Sequence, residues 1–181
     1  MKLFRKHCTP EELGARLYEA LRAGMASSND LSLERYVNSL GFSTGDLQDQ
    51  YVGEVMIGAM FAAIMAIERS TSRWIGEQIR KGMVSDFLRH LKEQGASESQ
   101  IGEWKTILNI RFDEYQTSLE GYEGLEPPWK LGRQFYWNMI GTEEYQAMSI
   151  KISTLYLLEA RDAAQELLNL YGPTILVDFA Q

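Results

Sequence analysis

Glu54 is the side chain whose setting most invites chemistry. It lies in the stretch YVGEVMIGAMFAAIMAI, residues 51–67, and directly precedes thirteen residues that carry no charge or strongly polar group. A carboxylate in apolar surroundings either has its pKa raised or recruits a cation, and both arrangements serve functional sites as well as structural ion pairs. On a helix Glu54 shares a face with Tyr51, Gly58, Phe61 and Met65, and Arg69, Arg73 and Arg161 are the cations considered as partners. A structural ion pair is the expected outcome, with a ligand contact as the alternative. Glu159, on the mostly apolar last helical stretch, carries the same ambiguity.

The aromatic cluster Trp129, Phe135, Tyr136 and Trp137 follows a Pro-Pro segment. Small-molecule sites are apolar with a few polar tips, so Trp129, Tyr136 and Trp137 are candidate ligand contacts together with Glu54 and Glu159. Aromatic residues at helical spacing more often serve as core. Asp86 and His90 stand four apart on one helix face, a spacing that suits a surface hydrogen bond or ion pair better than a metal. The two histidines, His7 and His90, have no glutamate three residues before them, so the paired Glu-x-x-His signature of dinuclear bundles is missing. Cys8 has no identifiable base and orienting group, and there is no nucleophile elbow and no phosphate-binding glycine loop. The sequence therefore predicts no catalytic residue, no metal and no cofactor.

Composition narrows the classes further. A chain of 181 residues with 45% hydrophobic and 24% charged residues suits one soluble domain, and four prolines leave room for long helices. The formal charge of −7 argues against general affinity for nucleic acid. A single cysteine forms no internal disulfide, so the cytoplasm is the expected location. The thirteen uncharged residues fall short of the ~20 that span a bilayer, so residues 51–67 are expected to be a core helix rather than a membrane span. Residues 69–95 hold six basic and three acidic groups, net +3, and residues 96–126 two and seven, net −5. Pairing between these two stretches is the simple expectation.

The elements that must position these groups are helical. Thr9, Pro10 and Glu12 form a capping box with proline at the first helical position, and leucines 13, 17 and 21 recur every four residues until Gly24. Asp30 or Ser32 caps a short helix closed by Gly41, and Ser43 with Asp46 launches the central helix, which runs to about Arg69. A further helix carries Ile75, Ile79, Met83, Phe87 and Leu91, widened by Trp74, and ends at Gly95. Ser97 and Gln100 cap the next, whose seam is Ile101, Trp104, Leu108, Phe112, Tyr115 and Leu119. Residues 121–130, GYEGLEPPWK, read as the main loop, followed by a short aromatic helix. The last helix runs from about Glu143, with Tyr145, Met148, Ile152, Leu155, Tyr156, Ala160, Ala163, Leu167 and Leu170 facing inward, to a stop at Gly172 and Pro173.

The predicted architecture is a single all-α domain, residues 1–181, built as a bundle of six or seven helices around the central apolar one. Residues 1–8 are expected to be mobile and 174–181 to form an apolar tail that docks on the bundle or pairs with another chain. The expected role is that of a non-catalytic, self-associating interaction module, with a dimer favoured and a protein partner as a further possibility. The alternative is a bundle, or an enzyme, that takes a small apolar ligand between the central helix and the Trp129–Trp137 cluster, with Glu54 or Glu159 as polar contact.

Overall fold

Side chains that repeat every three or four residues between capping and turn signals fold into seven helices in a computed structural model, which describes residues 8–43, 49–120, 127–141, 143 and 146–178. These are α1 (Pro10–Met25), α2 (Leu33–Ser39), α3 (Asp49–Ser70), α4 (Arg73–Glu93), α5 (Glu98–Glu120), α6 (Pro127–Ile140) and α7 (Ala147–Asp178). No strand occurs among the described residues, and the architecture is an all-α bundle.

Local chemistry sets most of the boundaries. At α1 the Glu12 amide donates to Thr9 Oγ1 at 3.2 Å while the Thr9 amide donates to Glu12 Oε2 at 2.8 Å. The same reciprocal pair forms between Ser97 and Gln100 at the start of α5, at 2.8 and 3.3 Å. Ser32 rather than Asp30 caps α2, accepting from the Arg35 amide, and Asp30 instead pairs with the Arg35 guanidinium at 2.8 Å. Gly41 and Gly95 turn the chain at φ +85° and +97°, where other residues are strained. The proposed Ser43–Asp46 cap reaches into residues 44–48, which lie outside the described ones.

Two stop signals read differently in the folded chain. Pro127 and Pro128 do not belong to a loop but open α6, because first-turn amides have no intrahelical acceptor and proline sacrifices nothing there. Gly172 and Pro173 do not end α7, which continues to Asp178. A proline inside a helix removes one rung, here to the Asn169 carbonyl, and leaves the rest of the ladder available.

α3 is the core. From Gly53 to Ile67 all its side chains are buried except Met65, which is half-buried, and α7, α4, α6, α1 and α5 surround it. By length and composition it is the one described helix that could cross a membrane, with mean hydropathy 1.6 over residues 51–70. Small residues set the distances of approach. A Cβ on Gly58 would come within 2.7 Å of the Phe135 ring. α1 lies across α4 with backbones touching: a Cβ on Gly14 would stand 2.0 Å from the Ile79 carbonyl, and one on Gly82 2.1 Å from the Glu11 carbonyl. On α7 the buried face is Ile150, Ser153, Thr154, Leu157, Ala160, Ala164 and Leu168. Of the residues expected to face inward, Tyr156 and Ala160 are buried and Ile152, Ala163 and Leu167 half-buried against the core, whereas three are turned out: Met148 is 68% exposed, Leu155 52% and Leu170 60%. The reason is steric, since Gly132 of α6 sits directly on Thr154, where a Cβ would meet Oγ1 at 2.0 Å, and Ala160 and Ala164 admit neighbours that longer side chains would hold away.

Candidate functional site

α3 and α5 meet through Phe61, whose ring lies 5.8 Å from Phe112 and 5.1 Å from Tyr115. This contact carries Glu54 against α5 with only 3% of its surface exposed. Its partner is Arg111, not Arg69, Arg73 or Arg161. Arg111 Nε donates to both Glu54 oxygens at 2.7 and 3.0 Å, Nη2 lies 2.6 Å from Oε1, and Nη1 donates to Glu114 Oε2 at 2.9 Å. Arg69 and Arg73 sit at the far end of α3 and the start of α4, out of reach of residue 54 by about four helical turns.

Burial lifts the Glu54 carboxyl above its usual range, and the Arg111 bonds oppose that lift. Burial also works against the Arg111 charge, but the bonds and charges of Glu54 and Glu114 outweigh it and hold the guanidinium ionised. A fork aimed at both carboxylate oxygens is the geometry of an ion pair. Arg111 itself occupies the α5 seam, three residues after Leu108 and four before Tyr115. A lone cation on an apolar seam is the signal that could have identified it as the partner.

The remaining candidate residues do not converge on Glu54. Glu159 is exposed on α7, beside Leu155. Tyr136 is buried, Trp129 and Trp137 are half-buried, and the Arg133 guanidinium sits 4.7 Å over the Trp137 ring. The space between α3 and this cluster is filled by Phe135, which presses on Gly58 and stacks 5.7 Å from Tyr36. Tyr36 in turn shares a hydrogen bond of 2.8 Å with Ser153, and Tyr156 donates to the Leu31 carbonyl at 3.2 Å, fixing α2 to α7. The cluster is core.

Open space lies on the opposite side of α3, around Trp104. The tip of the Trp104 ring abuts the α3 backbone, so that a Cβ on Gly53 would be 2.2 Å from it, and the ring meets Phe87 edge to face at 5.7 Å. One cleft, of about 520 Å³, runs from Trp104 past Met56 and Phe87 to Arg22, His90 and Gln94. A smaller one, of about 220 Å³, is lined by Glu54, Trp104, Ile107, Ile110 and Arg111. Trp104 borders both.

Most polar groups elsewhere are engaged by neighbours, although the buried Asp86 Oδ2 has no hydrogen-bond partner among the described residues. Asp86 is bonded to Arg89, and the His90 ring lies 6.1 Å from that of Tyr18. Among the described residues no three His, Cys, Asp or Glu side chains converge as a metal site would require. Among the described residues the basic residues of α4 pair mostly within their own helix, Arg73 with Glu77 and Arg89 with Asp86 and Glu93, while the ion pair of Lys92 with Glu98 crosses to α5. Arg80 lies 5.1 Å over the Phe112 ring. The expected charge pairing of the two helices is therefore confined largely to their shared turn, because α4 packs chiefly on α1. Trp74, expected to widen the α4 stripe, is 51% exposed. No protein-family model, no characterised protein and no solved structure matches the chain significantly.

Proposed function

We propose that the protein is a non-catalytic interaction module that self-associates as a dimer through the outer face of α7. The observation that carries this reading is the exposed Met148 and Leu155 on that face, with the half-buried Ile152 between them and the exposed Leu170 further along the same helix. Exposed large apolar side chains that follow one another along a helix mark contact surfaces more often than isolated ones do. In an antiparallel two-fold pairing centred on Leu155, that residue meets its own copy, and each ridge is covered by the other. Glu159, four residues on, then stands at the contact rather than in a ligand pocket. The single cysteine fits a reducing compartment, and the cytoplasm is the proposed setting.

Light scattering on the eluting protein tests this. The expected mass is that of two chains, falling to one chain for Leu155→Glu with an unchanged helical circular dichroism spectrum. In a Cys8→Ser background, Leu155→Cys is expected to form a disulfide-linked dimer on mild oxidation. A monomeric wild-type protein at high micromolar concentration would refute the reading.

A further inference from the structure

We propose that the cleft beside Trp104 binds a soluble amphiphile with one anionic head group, the head resting on Arg22 and His90 and the apolar body against Met56, Phe87 and Trp104. The cleft is independent of the α7 surface, being formed by α1, α2, α3, α4 and α5. Its volume of about 520 Å³ lies within the range of ~300–1,000 Å³ typical of small-ligand sites.

The walls are held before any ligand arrives. The tip of the Trp104 ring abuts Gly53 and the ring meets Phe87 edge to face, and Tyr18, which also lines the cleft, meets Phe87 edge to face at 5.9 Å. A wall of interlocked rings needs little ordering on binding, which favours affinity. Apolar lining extends from Met25 and Leu33 to Val52 and Met56.

The polar groups gather at one end, and their chemistry selects the head. Arg22, His90 and Gln94 line the cleft, and no carboxylate does among the described residues. Glu19 grips Arg22 from outside, through Nε at 3.2 Å and Nη2 at 2.7 Å, which fixes the guanidinium plane while the Nη1 edge makes no hydrogen bond to a described residue. A carboxylate placed there accepts from Arg22, from the imidazole and from the Gln94 amide, whereas a cationic head would meet Arg22.

Calorimetric titration with decanoate and with decanol, each below its aggregation threshold, tests the assignment. Decanoate is expected to bind with one site per chain. Arg22→Gln should weaken decanoate about tenfold and leave decanol unaffected, since a charge-assisted bond is lost from one head only. Ala26→Trp, which sets an indole across the mouth, should abolish binding of both at an unchanged melting temperature. Leu155→Glu should bind decanoate as the wild type does, which separates this site from the dimer contact. No decanoate binding by the wild type, equal decanoate affinity in Arg22→Gln, or undiminished binding in Ala26→Trp would each overturn the proposal. Sedimentation with anionic phospholipid vesicles that free decanoate does not compete away would assign the surface to membranes and overturn it as well.

Discussion

α3 and α7 are both rich in apolar residues around their circumference, yet from Gly53 to Ile67 α3 buries every side chain but the half-buried Met65, and α7 leaves Met148, Leu155 and Leu170 in solvent. What separates them is the distribution of small residues. α3 carries Gly53, Gly58, Ala59, Ala62, Ala63 and Ala66 around its surface, so helices approach from several directions. α7 gathers Ser153, Thr154, Ala160 and Ala164 on one side, and that side is where α6 and α3 pack. Close approach, not the size of the apolar side chain, decides which face turns inward, because dispersion and burial both grow as backbones draw together.

The comparison can be broken in graded ways. Alkaline titration should act most broadly. Burial pushes the Tyr18 phenol up to about 12, and burial likewise raises Tyr36, Tyr115 and Tyr156. A folded state with raised phenol pKa values keeps protons that the unfolded chain releases from about pH 10, so stability present below pH 10 is lost as pH rises through 12. Circular dichroism and tyrosinate absorbance should change together in that window; early tyrosinate absorbance from all nine tyrosines with helicity intact would contradict the buried placements.

Next is the ion pair that closes α3 against α5. Arg111→Ala leaves Glu54 buried without its partner and should cost about 3–5 kcal/mol in urea denaturation, whereas Glu54→Leu with Arg111→Met should be close to neutral. A small loss for the single variant would mean that Glu54 is solvated. On α7, Leu157→Ala should cost about 2–5 kcal/mol and Leu155→Ala, in the monomeric range of concentration, about 0.5 kcal/mol or less. Equal losses would erase the distinction between the two faces. Gly58→Leu should cost about 1–3 kcal/mol by displacing Phe135, read as a lower urea midpoint. An unchanged midpoint would place that face on open space.

Helix identity and most helix starts were legible because capping boxes and turn glycines act within four residues of themselves. Thr9 with Glu12 and Ser97 with Gln100 needed no tertiary information. The orientation of α7 was not legible, since its apolar residues are spread widely enough that several stripes fit, and the decisive contact, Thr154 on Gly132, joins two helices. The same holds for the site. Glu54 was recognisable as a buried carboxylate from its neighbours in sequence, but its cation comes from 57 positions away. The spacing of Trp104 marks it only as part of the α5 seam, and its place between two clefts depends on the absence of a side chain at Gly53.

The backbone crossing of Gly14 on Gly82 ties the cleft to a single helix. Because Tyr18, Arg22 and Met25 ride on α1, the cleft beside Trp104 exists only while that helix is docked on α4, and any local opening that releases α1 dismantles the cleft.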